Sequence, residues 1–244
     1  MSFERSSLET AQLECDAAIE GLYEVFGSYR FRADMSCCIP HCFDQSEIDA
    51  LGDRPLRLLE LETLTGFTFQ LLLTCGEARD FKYFLPRLFE LTVTTRMGFV
   101  SAEIVVGKLE RADWHAWPDR ERAAVSDFLW AWWRLELELD AVTFESCLAA
   151  LCCTGDDPTP YLRMWRDLEP TRYALMLARF VNQHTTMILA GGGFNGFVNK
   201  EATRAIQAFL REAATRARFE TAFYATKNRD DLKVLSLAEQ LVQF

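Results

Sequence analysis

The sequence from Pro55 to Leu91, PLRLLELETLTGFTFQLLLTCGEARDFKYFLPRLFEL, contains two apolar helical patterns separated by a short polar turn. Leucines and phenylalanines cover nearly the whole circumference of the first pattern in its second half, which predicts a helix buried between neighbours. Pro55 stands where a first helical residue is expected. Gly76 ends this helix, and the second begins near Asp80 with Pro86 inside it. The stretch therefore predicts a helical hairpin at the centre of the fold.

Most of the remaining chain repeats this plan. Apolar stripes that begin at proline or at Ser, Thr or Asp caps predict roughly ten helices with short connectors. No segment shows the convincing period-2 alternation of a strand. The chain is therefore predicted to be all-α, either a HEAT-like α-solenoid or an irregular multi-helix bundle. Residues 1–244 are predicted to form a single helical domain, with the TGDDPTP loop at 154–160 as the candidate for a subdivision.

Composition limits the classes of partner. The chain has 244 residues, of which 50% are hydrophobic, and a net charge of -10. Nucleic-acid binding needs clustered Lys and Arg, and an anionic membrane surface repels an acidic protein, so neither partner is expected. A basic protein would be attracted.

The cysteine pattern and the N-terminus predict a cytoplasmic protein. The eight cysteines fall mainly within helical patterns, and the chain is long enough to form a core without disulfides, so the thiols are expected to be reduced. The N-terminal MSFERSSLETAQLE lacks the apolar segment of a signal peptide. The longest apolar runs, such as residues 67–75, are too short to span a bilayer.

The irregular segment before the hairpin contains residues that zinc prefers, namely Cys37, Cys38, His41 and Cys42. A further ligand could come from Cys75 or Cys15. The alternative is that these cysteines pack as small apolar side chains and that His41 bonds to the backbone, since no second CxxC pair follows. Zinc is thus the one alternative to a protein without a cofactor.

Other motifs point to structure more than to chemistry. Residues 191–196, GGGFNG, match the dinucleotide pattern G-x-G-x-x-G, but a long helical pattern precedes them where the motif requires a strand. They predict a helix C-cap followed by a connector. The three histidines, His41, His115 and His184, lie in no recognisable catalytic motif, so no enzymatic activity is predicted.

Negative charge is concentrated in residues 1–60, which hold 12 acidic and 5 basic residues. This first quarter of the chain predicts an acidic surface for a basic partner, with solubility alone as the alternative explanation. The candidate partner-binding residues are Glu9, Glu14, Glu20, Glu24, Asp44, Glu47 and Asp49.

Several blocks resemble a family of uncharacterised bacterial helical proteins. They are SCCIPHCFDQSEIDAL, RPLRLLELETLTGFTF, DFKYFLPRLFELT, GKLERADWHAWPDRERAAVSDFLWAWW and PYLRMWRDL. In that family a Cys-rich loop precedes PLR, and D-[FY]-[RK]-[HY]-FLPR-x-[LF]-EL and W-x-x-WP blocks follow. The resemblance runs from about Cys37 to Phe223, and Tyr83 stands where the family has histidine as often. It implies a bacterial cytoplasmic helical protein and supplies no activity.

Three functional hypotheses follow. The first is a protein–protein interaction module, most concretely an immunity-type inhibitor that binds a basic bacterial toxin domain, because an acidic helical surface associates rapidly with a basic one. The second is a zinc-dependent enzyme or regulator that uses residues 37–42. The third is a generic HEAT-like scaffold.

Overall fold

The computed structural model describes residues 6–37, 43–95, 100–139, 143–169 and 171–243. Within these ranges the chain forms thirteen α-helices and two single-turn 3-10 helices, and no strand beyond isolated bridges. The all-α prediction is confirmed, whereas the α-solenoid in particular stays a prediction. The helices are α1 (Ser7–Phe26), α2 (Gln45–Ala50), α3 (Leu61–Gln70), α4 (Ala78–Thr95), α5 (Ala102–Val106), α6 (Lys108–Arg111), α7 (Asp119–Leu139), α8 (Phe144–Leu151), α9 (Thr159–Asp167), α10 (Arg172–Leu189), α11 (Lys200–Leu210), α12 (Ala213–Ala225) and α13 (Arg229–Leu241).

The described chain divides into two compact units where a single domain was predicted. The first unit comprises residues 6–139 and 143–150, and the second comprises residues 151–243. The division falls a few residues before the 154–160 loop that the sequence marks as the candidate boundary. No helix in the described ranges is both long and apolar enough to cross a bilayer.

In the first unit, α1 packs against α4 and α7. A capping box starts α1: the Ser6 hydroxyl accepts the Glu9 N–H, and the Glu9 carboxylate accepts the Ser6 N–H. One face of α1 is buried, and on α7 both Trp132 and Trp133 are buried. These two tryptophans point in different directions around α7, which is explained by a helix covered on more than one side.

The predicted helix start at Pro55 is wrong. Residues Leu56–Leu58 form a single 3-10 turn, and α3 begins only at Leu61. The reason is tertiary, because Leu59 adopts an extended conformation and its carbonyl oxygen accepts two hydrogen bonds from the Arg87 guanidinium, at 3.0 and 2.9 Å. A helical Leu59 would direct this carbonyl along the helix axis, towards the N–H four residues on.

The apolar patterns of residues 102–111 and 200–216 each predict one continuous helix, and the structure corrects both. The helix expected over residues 102–111 is split at Gly107 into α5 and α6. The helix expected over residues 200–216 ends at Leu210, because Glu212 is extended and accepts hydrogen bonds from Arg163 and Arg166 of α9. Gly107 has low intrinsic helix propensity, so the first break is local, whereas tertiary contacts of Glu212 interrupt the second helix.

Asp80 organises the N-terminus of α4. Its side chain is only 2% exposed, and its two oxygens accept hydrogen bonds from Arg32 Nε and Nη2, each at 2.8 Å. One of these oxygens also accepts the Glu77 N–H at 2.8 Å, which satisfies a donor that the helix leaves unpaired. The hydrogen bond and charge of Asp80 raise the pKa of Arg32 above its ordinary value.

We expect Asp80→Ala to lower the Tm of the first unit by roughly 5–10 °C, because it leaves the Arg32 guanidinium and the Glu77 N–H without an acceptor. Asp119→Ala is the matched control, since Asp119 forms an exposed ion pair with Arg122. Exposed pairs contribute little, so the control should shift Tm by less than about 2 °C. Thermal unfolding followed by circular dichroism measures both, and equal shifts would contradict the role of Asp80.

Candidate functional site

The four candidate acids of α1 are exposed, and three of them form ion pairs with arginines of the same unit. The distances are 2.9 Å for Glu14–Arg134, 2.8 Å for Glu20–Arg57 and 2.8 Å for Glu24–Arg120. Glu9 accepts the Ser6 N–H in the capping box. Residues 9 to 24 extend about 22 Å along the helix, so these acids form a row and not a cluster. The negative charge of α1 is therefore largely compensated by arginine.

The three candidate acids of α2 lie close together on one six-residue helix, and all are exposed. Asp44 accepts the Glu47 N–H at 2.9 Å, Glu47 accepts the Asp44 N–H at 2.9 Å, and Asp49 accepts from the Gln45 amide at 2.9 Å. The Ser46 hydroxyl donates to Asp44 at 2.6 Å. All of these donors are neutral, and no ion pair between the described residues involves Asp44, Glu47 or Asp49.

Hydrogen bonding keeps Asp44 ionised. The Ser46 hydroxyl, followed by the Glu47 N–H, lowers the pKa of Asp44 below its ordinary value. The short helix is anchored beneath by Ile48 and Leu51, which are fully buried, and the preceding Phe43 ring packs against Phe67 at 6.0 Å. The α2 carboxylates thus lie on an exposed acidic surface that no basic side chain of the described residues compensates.

The predicted zinc site is only partly within the described residues. Cys38, His41 and Cys42 lie outside them, while Cys37 forms a disulfide with Cys75. The expectation that the cysteines are reduced is therefore wrong for this pair. Within the described ranges no group of three or more His, Cys, Asp or Glu side chains is arranged to hold a metal ion.

Cys15, the other suggested ligand, is a core thiol of α1. Burial raises the pKa of Cys15 to about 12, and the negative charges of Asp16 and Glu136 act in the same direction. Zinc binds the thiolate, so a thiol held protonated in this way is a poor ligand.

The glycine-rich segment is a helix terminus, as the sequence predicts. Gly191 and Gly193 have φ angles of +79° and +69°, and the Gly192 N–H donates to the Met187 carbonyl oxygen at 2.9 Å. The segment ends α10 and leads to Asn199, whose side chain caps α11. Backbone N–H groups that end a helix in this way do not form a dinucleotide cradle.

The second unit has an acidic cleft of about 280 Å³ beside the buried Cys152. Its carboxylates are Asp156, Asp157 and Glu201. Asp157 already accepts the N–H and the hydroxyl of Thr159, at 2.9 and 2.6 Å, at the start of α9. This carboxylate therefore has a structural role as a helix cap.

His184 lies in α10 and is 8% exposed. Its ring packs between Phe180 and Phe194, with centroids 5.1 and 5.7 Å away. His115 packs edge-on against Trp114 at 4.6 Å. Both imidazoles are part of aromatic packing.

A buried lysine is the main feature that the sequence analysis missed. Lys108 is 2% exposed, and its Nζ donates to the Leu71 carbonyl oxygen at 2.7 Å. It fixes a tight turn in which the Leu72 N–H donates to the Cys75 carbonyl oxygen and Leu72 has a φ of +65°. The signal was present, because Lys108 follows Val105 by one helical turn and immediately precedes Leu109 in an apolar stripe.

Burial lowers the pKa of Lys108 to about 8, and the charge of Arg111 adds to this shift. The charged ammonium form of Lys108 is therefore less favourable in the folded protein than in the unfolded chain. A lysine with a pKa near 8 retains a proton at neutral pH and releases it in mildly alkaline solution.

Comparison with known proteins gives no relative. No protein-family model, curated protein or solved structure matches the chain.

We expect the stability of the first unit to rise with pH because of Lys108. Above about pH 8 the folded protein releases the Lys108 proton, while the unfolded chain keeps it up to its ordinary pKa of 10.5, so the unfolded state binds more protons. Between pH 8 and 9 this adds about 1 kcal/mol to the free energy of unfolding. Above pH 9 the buried thiol of Cys15, whose pKa is raised, opposes the gain.

Urea unfolding at pH 8 and pH 9 measures this effect as the difference between the wild type and Lys108→Met. Lys233→Met is the control, because Lys233 is an exposed lysine paired with Asp230. Between pH 8 and pH 9, the free energy of unfolding should rise for the wild type and for Lys233→Met relative to that of Lys108→Met. Parallel pH profiles for all three proteins would contradict the assignment.

Proposed function

We propose that the chain is a protein-binding module of the bacterial cytoplasm, most concretely an immunity-type inhibitor that binds a basic toxin domain. The observation that carries this proposal is the α2 surface, where Asp44, Glu47 and Asp49 are exposed and bonded only to neutral donors. Their charges are available to an incoming cationic surface, which speeds association and fixes orientation.

The capping box supports this role because it positions the carboxylates before a partner arrives. Asp44 and Glu47 bond each other's backbone N–H, and the helix beneath is anchored by buried Ile48 and Leu51. A pre-organised surface loses less conformational entropy on binding than a flexible one. The net charge of -10 adds a long-range attraction for a basic protein.

The α1 acids are expected to contribute less. Glu14, Glu20 and Glu24 are already paired with arginines, so a basic partner would gain from them only by displacing an internal cation. Forming or breaking an exposed ion pair of this kind changes the free energy only slightly. The proposal therefore places the binding surface on α2.

The test uses the product of the adjacent gene as the partner and the triple variant Asp44→Asn, Glu47→Gln and Asp49→Asn. Amide oxygens can still accept the capping hydrogen bonds, so α2 should remain folded while it loses three charges. We expect the association rate to fall about 10-fold at low ionic strength and the difference to shrink in high salt.

The control variant Glu110→Gln, Asp127→Asn and Glu220→Gln removes the same number of charges from exposed side chains outside α1 and α2. It should change the association rate less than twofold by comparison. Association rates that are equal for the two triple variants would exclude α2 as the binding surface. A neighbouring gene product that is neither toxic nor bound would exclude the immunity role.

Zinc binding at the Cys-rich segment is the second candidate function, and one observation favours it. Cys75, which the sequence suggested as a distant ligand, lies beside Cys37 with a Cα–Cα distance of 4.0 Å. The disulfide and a zinc–thiolate site are mutually exclusive, because zinc requires both sulfurs as thiolates. The zinc form would therefore belong to the reduced protein.

We expect reduced, untagged protein to retain close to one equivalent of zinc if this second function is correct, and Cys75→Ser to lower that content. Cys153→Ser is the control, since Cys153 lies outside the bridge. Metal analysis by mass spectrometry decides the matter. Less than about a tenth of an equivalent in the reduced wild type would reject zinc.

A further inference from the structure

Residues 27–37, here named the strap, run from the end of α1 along the N-terminal half of α4. The Phe31 ring packs against Tyr83 and Phe84, with centroids 6.1 and 6.3 Å away. Further on, Arg32 binds Asp80. The strap therefore runs antiparallel to α4, towards the turn that precedes it.

The strap ends in two linkages to that turn. The Gly76 N–H donates to the Ser36 carbonyl oxygen at 2.7 Å, and the disulfide joins Cys37 to Cys75. The bridge closes a loop with a sequence separation of 38 residues. Because Asp80 and Phe84 hold the middle of the strap without a covalent bond, loss of the bridge should free the last residues first.

The two cysteines of the bridge differ in their exposure to solvent. Cys75 is 1% exposed and Lys108 fixes the backbone of its turn, whereas Cys37 is half-buried next to an exposed Ser36. An incoming thiolate must approach along the S–S axis from the accessible side, so it can attack only the Cys37 sulfur. A reductant can therefore attack the bridge at only one of its two sulfurs, Cys37 Sγ.

We propose that Cys37 and Cys75 form a latch that a thioredoxin-like protein dithiol opens by reduction, releasing the end of the strap. One thiolate of the reductant attacks Cys37 Sγ, the S–S bond breaks, and Cys75 leaves as a thiolate and takes up a proton. The second thiol of the reductant then forms its own disulfide and releases Cys37 as a thiol. The latch gains two electrons and two protons, and the reductant loses them.

The released region is limited by contacts that do not depend on the bridge. Lys108 still holds the Leu71 carbonyl oxygen, and Asp80 still holds Arg32. On the other side, Phe43, Ile48 and Leu51 anchor α2 in the core. Met35 is also buried in the core, so reduction frees mainly Ser36 and Cys37. The latch proposal can fail or hold independently of the proposed toxin binding.

The first measurement counts thiols in native protein prepared without reductant. The protein is unfolded without reductant before its thiols are counted, and we expect two fewer than the eight cysteines of the sequence. Its intact mass should be about 2 Da lower than that of the fully reduced protein. A peptide map should show residues 37 and 75 joined. Addition of dithiothreitol, and then of a thioredoxin-type dithiol, to the folded protein should restore both thiols.

The second measurement tests the conformational effect. On reduction the Tm should fall by roughly 10 °C, and hydrogen exchange should accelerate at residues 36 and 37 and at Gly76, whose N–H donates to the Ser36 carbonyl oxygen. The control Cys153→Ser should respond as the wild type does, while Cys37→Ser with Cys75→Ser should be insensitive to reductant. Should that double variant not fold, the wild-type exchange data before and after reduction still decide.

Three results would overturn the proposal. They are a full set of eight thiols before reduction, a bridge that is reduced only after the protein unfolds, and unchanged hydrogen exchange at residues 36, 37 and 76 after reduction. Zinc analysis of the same samples separates thiols protected by metal from thiols joined as a disulfide, because only the disulfide lowers the intact mass.

Discussion

The buried carboxylate of Asp80 is the constraint on which much of the first unit depends. A carboxylate that is 2% exposed is costly unless its charge and lone pairs are satisfied, and here Arg32 and the Glu77 N–H satisfy them. In doing so they fix the start of α4 and hold the strap against it. The tight turn that carries Cys75 lies immediately before this helix start, so the disulfide and the Ser36 hydrogen bond are also set by it.

The sequence was sufficient where structure is determined by local pattern. The long helices α1, α4 and α7 follow from apolar periodicity. The predicted helix end at Gly76 is wrong, because α3 already ends at Gln70, and the carbonyl oxygen of the next residue, Leu71, accepts a hydrogen bond from Lys108. The sequence was insufficient where a distant side chain decides. Leu59 is extended because Arg87, 28 residues away, binds its carbonyl oxygen, and no local pattern contains that information.

The candidate site shows the same division. That the acids lie on exposed helical faces could be predicted from the sequence, and Asp44 with Glu47 is a recognisable capping box. Which acids are neutralised could not be predicted, because Glu14 meets an arginine 120 residues further along the chain. The buried charges of Lys108 and Asp80 were also missed as tertiary partners, since propensity assigns such residues to the surface or to a local cap.

The pairing pattern divides the acids of the first unit into two groups. The acids of α1 form ion pairs with arginines, two of them on α7, so their charges act within the fold. The acids of α2 bond neutral groups, so their charges act outwards. Phe43, Ile48 and Leu51 anchor α2 independently of the Cys37–Cys75 bridge. The proposed binding surface and the proposed latch therefore rest on different contacts, because buried side chains of its own hold α2 to the core.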